Sequence, residues 1–371
     1  YGLRHRQLSE NPNQQAAKAF EEMKLDATAS GNSTDDPNGI WTDYEAAGAS
    51  DEASLAKAAL GVLEIADLTD DVYQLGLRGT IDSARMPAVR DAVLTARARL
   101  QERLAKDEAV RSLVEGFDRE TYNTNATVGE NLLFGNPAGS TFDMDRLGDN
   151  AYVMQVLDQT GLTEKMVQTG HQVAATMVEL FADLPPDHEF FQQFSFISSE
   201  DLPEYQSILG RVSKDHLDQL KPEERTLLIG LPFLLVPARH RLGIVTEEFQ
   251  DKILEARKVF SANLPANLTD TIEFYEADRY ISAANLQDNI LFGKVAHGEA
   301  EASTLVGRLL AEVIEEAGLR ESVVNVGLGF NVGIAGSRLT LAQRQKLILA
   351  RSVIKRPDVL IVADGLSALD A

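Results

Sequence analysis

The strongest constraint on the fold is a duplication inside the chain. ATVGENLLFG ends at Gly135 and ANLQDNILFG ends at Gly293, 158 positions later, and Tyr122 and Tyr280 stand at the same interval. Upstream, LTARARLQERL from Leu94 and LEARKVFSANL from Leu254 correspond at a shift of 160. Downstream, VLDQTGLTEKMVQTGH from Val156 and VIEEAGLRESVVNVGL from Val313 align Gly170 with Gly327 and Leu162 with Leu319. A third version, VLEIADLTDDVYQLGL from Val62, adds Gly76 and Leu68 to the same columns. So long a period is a whole module repeated, not the helix pair of a TPR or ankyrin array. The chain accordingly divides into 1–93, a first copy carrying a loop insertion; 94–182, a second copy; 183–253, a unique helical linker; 254–333, a third copy; and 334–371.

Between these landmarks the residue types predict helices and loops. Residues 26–52 are rich in Gly, Ser and Asp and predict a surface loop pinned by Trp41 and Tyr44. Ser83 to Lys106 alternates charge at helical spacing, which predicts a solvated helix. FFQQFSF at 190–196 reads as core or as a docking surface. Arg239-His240-Arg241 is a local basic spot whose simplest role is an ion pair at a helix end.

Composition excludes several function classes. The chain has no cysteine, so disulfides, zinc-thiolate sites and thiol catalysis are out, and its six histidines show no metal-ligand spacing. A net charge of −22 argues against nucleic acid as a partner, since phosphates need a basic footprint. The longest apolar run, Leu227 to Ala238, is interrupted by Pro232 and Pro237 and is too short to span a bilayer. No signal peptide opens the sequence, and its first residue is Tyr1, so it reads as a piece of a longer protein.

The last forty residues carry the chemistry. Gly333 and Gly336 loosen a loop, and Leu347, Ala350 and Ile354 then recur on one face of a helix from Gln343 to Ile354. Lys355-Arg356-Pro357 is a cation-rich stop, and Val359-Leu360-Ile361-Val362 is an apolar, β-branched run suited to a buried parallel strand. These residues resemble the ATP-binding domain of ABC transporters. LTLAQ from Leu339 to Gln343 stands where the family has its LSGGQ signature, RQKLILARSVIKRPDVLIV follows in register, and Ser367-Ala368-Leu369-Asp370 is the D-loop string. ENLLFG and DNILFG look like the segment that follows the family's glutamine loop, with Arg119 and Ala277 at the position of the glutamine itself. Both copies then read as structural relics that do not sense nucleotide.

The resemblance implies a predominantly α-helical fragment of a P-loop NTPase ABC domain with little sheet. It implies ATP and Mg²⁺ as cofactors, and head-to-tail pairing with a second ABC ATPase domain, identical or not. It also implies a transmembrane domain in the same full-length chain, and a place on the cytoplasmic face of the membrane. Carried over by position, Thr340, Leu341, Ala342 and Gln343 would face the partner's ATP, Asp364 the attacking water, and Ser367 and Asp370 the dimer interface. The pattern is degenerate. Leu341 and Ala342 replace the two signature glycines, whose missing Cβ lets backbone amides approach a phosphate. Ala363 replaces the carboxylate of the Mg²⁺ shell, so no metal ligand is expected here, and Asp364 is one methylene shorter than the family's glutamate. No GxxxxGK[ST] loop is present; the expectation is that it precedes Tyr1. Binding and possible hydrolysis of ATP to drive transport is the leading reading. A catalytically silent ABC-like regulatory or scaffolding module is the alternative, and a soluble DNA-repair or translation ATPase a weaker third.

Overall fold

The fold is built chiefly of helices. A computed structural model of the chain describes residues 4–181, 184–185, 197–299 and 301–362. In chain order come β1 (Arg4–Ser9), α1 (Gln14–Ser30), β2 (Ile40–Thr42), α2 (Glu52–Ile65), α3 (Thr69–Leu77), α4 (Pro87–Lys106) and α5 (Glu108–Arg111). The second copy supplies β3 (Val114–Gly116), α6 (Val128–Leu133), β4 (Gly135–Pro137), α7 (Ala151–Gln159) and α8 (Thr163–Phe181). The linker gives α9 (Leu202–Arg211), α10 (Pro222–Phe233) and α11 (Pro237–His240). Then follow α12 (Glu247–Ala262), β5 (Ile272–Phe274), α13 (Leu286–Leu291), β6 (Gly293–Val295), α14 (Ala302–Glu316), α15 (Arg320–Leu328) and α16 (Leu341–Val353). Sheet is confined, among the described residues, to three two-stranded antiparallel ribbons.

Two compact units form, one from 1–76 with 324–371 and the other from 77–323. In the larger unit the repeated modules exchange parts. β3 precedes α6 but pairs with β6, placing Glu115 opposite Lys294; β5 precedes α13 but pairs with β4, placing Glu273 opposite Asn136. The helix upstream of each copy crosses in the same way: α4 packs on α13 and α12 packs on α6.

One buried arginine fixes each crossing. From α12, Arg257 donates through Nε to the carbonyl of Asn131 at 2.7 Å, through one terminal nitrogen to the carbonyls of Asp118, Arg119 and Thr121, and through the other to Asn131 Oδ1 at 3.0 Å. From α4, Arg97 repeats this set against Asn289, Glu276, Ala277 and Arg279. Each guanidinium lies 4.5 Å from the ring centre of the Phe in the opposite copy, Arg257 over Phe134 and Arg97 over Phe292. Carbonyl dipoles and an aromatic face thus stand in for a counter-ion, and burial pulls both arginines down to about 10, still charged at neutral pH.

The Asn, Phe and Gly of the repeated string now have physical reasons. Asn131 and Asn289 are buried, and each closes the preceding loop: Asn131 Oδ1 accepts the amide of Asn123, and Asn289 Oδ1 that of Ile281, both at 2.9 Å. Phe134 and Phe292 both end their helices at a φ of 45°, a left-handed conformation a bulky residue adopts only when its surroundings enforce it. After each Phe a Cβ would sit 2.7 Å from the Glu273 carbonyl at Gly135 and 2.6 Å from the Glu115 carbonyl at Gly293, so the ribbons form only with glycine there. Phe117 and Tyr275, 158 positions apart, stack between the copies at 4.1 Å with Phe134 and Phe292 edge-on around them.

Most of the remaining core belongs to the second copy, the linker and α12, where Phe142, Phe233, Phe249 and Phe260 are fully buried. Gly170 lets α8 meet α10, since a Cβ there would lie 1.9 Å from the Leu228 carbonyl. Gly327 does the same for α15 against α3, 2.0 Å from the Val72 carbonyl.

Two local expectations are corrected. The loop expected over 26–52 is helical to Ser30 and contains β2, because Asn13 caps α1 and its helical pattern continues through Ala27 and Thr28. The segment expected to be a solvated helix, α4, buries Val93, Ala96, Arg97, Leu100 and Leu104; a buried arginine made an inward face look charged. Val359–Val362, expected to be poorly anchored as the edge of a sheet that lies outside these residues, is exposed and forms no strand among the described residues. The aromatic string 190–196 lies outside the described residues.

Candidate functional site

The N-terminus of α16 is where the signature positions converge. Leu339 is buried and anchors the entry, while Gly333 and Gly336 take φ values of 77° and 74° to turn the chain into the helix. Thr340 is the N-cap: its Oγ1 accepts the amide of Gln343 at 3.2 Å, and Gln343 Oε1 accepts the amide of Thr340 at 3.0 Å. This reciprocal box consumes two of the helix-end donors. The amides of Leu341 and Ala342 make no hydrogen bond among the described residues. They are the donors left to an anion, reinforced by the helix dipole.

Two acidic residues of the α2–α3 corner grip the same helix. Gln343 Nε2 donates to Asp71 Oδ1 at 2.7 Å. Lys346 Nζ donates to the Asp67 carbonyl and to Asp67 Oδ2, both at 2.8 Å. The hydrogen bond it donates to Asp67 is the chief cause that holds the Lys346 ammonium above the usual lysine range. Asp67 itself sits at a φ of 53°, just after α2. Leu341 projects from the first turn and is 58% exposed. A donor pair is therefore present, with a large side chain beside it.

Thr340, Leu341, Ala342 and Gln343 are thus brought together in one turn, and Asp67 and Asp71 join them. The two aspartates carried no motif, although Asp67 and Asp71 fall in the repeated column block that begins at Val62. Asp364, Ser367 and Asp370, with Ala363, lie outside the described residues. Among the described residues no cluster of His, Asp or Glu is arranged to hold a metal. No helix among them is long and apolar enough to cross a membrane.

Comparison with known proteins points the same way as the signature register. A stretch of 102 residues is 32% identical to the human mitochondrial potassium channel ATP-binding subunit, covering 27% of this chain and 13% of that protein. Another of 92 residues is 37% identical to an ATP-dependent lipid A-core flippase of Ralstonia nicotianae, covering 23% of this chain and 16% of that protein. An uncharacterized ABC transporter ATP-binding protein of Bacillus subtilis is 29% identical over 107 residues, 28% of this chain and 17% of its own length. The chain contains an ABC-related region. It spans less than a fifth of the length of each of these relatives. No family model matches the chain, and no solved structure does.

Proposed function

We propose that this chain is part of the ATP-binding, energy-coupling apparatus of an ABC-type transporter. The start of α16 faces an ATP whose phosphates are gripped by a second nucleotide-binding domain. The observation that carries this is the pair of unclaimed amides at Leu341 and Ala342 at the end of a capped helix, in register with the family's signature. Thr340 Oγ1 and the helix dipole add to the anion field. Asp364 polarises the water, and Ser367 and Asp370 line the domain pair. ATP and Mg²⁺ are the cofactors, and the loop that cradles the phosphates comes from sequence other than these 371 residues. The partners are a second ATPase domain and a membrane-spanning domain, which places the chain at the cytoplasmic membrane face. The exchanged modules of the larger unit form a rigid body through which closure of the ATP sandwich pulls on the membrane part.

A second reading is favoured by one observation. The signature glutamine is turned inward onto Asp71, beside an exposed Leu341 side chain that stands where the family has glycine. A site of that kind binds partner and nucleotide weakly and turns over slowly, as a regulatory or scaffolding module would. ATP turnover by the chain with its native flanking sequence separates the two. With Leu341→Gly and Ala342→Gly together, the coupling reading expects ATPase to rise at least tenfold. No change, with the fold intact, would support the silent module.

A further inference from the structure

A groove in the larger unit is open between the 3₁₀ turn Met144–Asp149, α9 and α10, with a volume of about 520 Å³. Its floor is apolar and low. Leu227 and Leu234 border it, and Gly230 leaves it open, since a Cβ added there would meet nothing within 4 Å. Its rim is acidic on every wall: Asp145 and Asp149 on the 3₁₀ turn, Asp201 and Glu204 at the start of α9, and Glu223 at the start of α10. All five are exposed, and none is in an ion pair among the described residues. Nearby acids are treated differently: Glu224 is paired with Arg211 and Lys221, and Glu164 with Arg225. No lysine, arginine or histidine lines the groove among the described residues.

We propose that this groove docks a lysine- and arginine-rich amphipathic helix of a partner polypeptide. Charge complementarity selects that occupant. An apolar ridge at i, i+3 or i+4 and i+7 fills the floor over Gly230, and flanking cations meet carboxylates that carry no counter-ion. Asp145 and Asp149, four residues apart, offer partners to cations one turn apart on the docked helix. Gly230 touches Gly148 through its backbone, but an added Cβ there would point into the open groove, the space the ridge needs. The proposal is independent of the ATP reading, because neither α16 nor nucleotide takes part.

The test uses the full chain and a fluorescein-labelled peptide with leucine and lysine at helical spacing, alongside its glutamate counterpart, followed by anisotropy. The lysine peptide should bind and the glutamate peptide should not. Gly230→Leu, which keeps every charge, should weaken binding at least tenfold by filling the floor. Glu204→Lys with Glu223→Lys should also weaken it at least tenfold, whereas Glu22→Lys with Glu64→Lys, the same change in net charge elsewhere, should alter it less than twofold. Circular dichroism checks that each variant is folded. Equal weakening by both charge pairs would assign the binding to the −22 charge of the whole chain and overturn the proposal. So would an unchanged affinity for Gly230→Leu, or no binding of the lysine peptide. A wild-type dimer that becomes monomeric with Gly230→Leu would assign the groove to a second copy and overturn it as well.

Discussion

The Phe-Gly strings and the turn that opens α16 spend their polar groups in opposite ways. In the larger unit, Arg97 and Arg257 are buried and donate mainly to the other copy's backbone, while the buried Asn131 and Asn289 tie down loops of their own copy. At α16, the cap is satisfied locally, while Leu341 and the first free amides face outward. The first arrangement can only hold structure together. The second has donors left for something outside, so retained sequence alone does not separate a staple from a contact.

The largest expected effect breaks a staple. Arg257→Leu strands the carbonyls of Asn131, Asp118, Arg119 and Thr121, and should cost about 3–5 kcal/mol, read as a loss of urea midpoint. Arg97→Leu strands the matching carbonyls of Asn289, Glu276, Ala277 and Arg279 in an equally buried setting and should cost the same within about 1 kcal/mol. A much smaller cost would show that the two crossings are not held alike.

Next comes the glycine that admits the opposite strand. Gly135→Ala drives a Cβ to 2.7 Å from the Glu273 carbonyl and should cost about 2–3 kcal/mol by thermal denaturation. Leu341→Gly, at the exposed turn, should cost no more than about 1 kcal/mol. If the two costs were similar, the contrast between a filled interface and an open turn would be lost.

A smaller effect is tied to pH. His240 Nδ1 accepts the Val236 amide, and burial, with lesser help from Arg239 and His297, pushes its imidazole down to about 4. The unfolded chain takes up that proton first, near the usual histidine value of about 6.5. The contribution is therefore complete above pH 6.5 and declines as pH falls toward 4, and because the ring is only half buried, solvent screening limits the loss to about 1–2 kcal/mol. His240→Asn keeps an acceptor but cannot titrate, so its stability difference from wild type should shrink across that window. A constant difference from pH 7 to 4.5 would show that His240 is not buried neutral.

The smallest change sharpens the signature side. Thr340→Ala removes the cap on the Gln343 amide and should cost about 1 kcal/mol, measured as lost helicity and midpoint. A cost above about 2 kcal/mol would mean that the turn is as internally committed as the staples.

Much of this was legible in the sequence. The helix of the signature follows from spacing, though the spacing misses its start at Leu341 and its Thr340 cap, and the repeat marked Phe134, Phe292 and their glycines in advance. The crossing was not legible. Local pattern says nothing about whether β3 pairs with its own copy or the other, and loop-length arguments permit both. Arg97 misled because charge at helical spacing ordinarily means solvent; only its identity with Arg257 in the aligned helices hinted at a shared buried role. Asp71 was invisible because its partner Gln343 lies 272 positions away.

The central claim is that nucleotide acts at the turn opening α16 and leaves the exchanged Phe-Gly strings untouched. Hydrogen exchange of the chain with its native flanking sequence, with and without Mg·ATP, tests it directly. The account predicts new protection over 338–345 and none over 128–135 or 286–293. Protection confined to the Phe-Gly strings, with the signature turn unchanged, would contradict it.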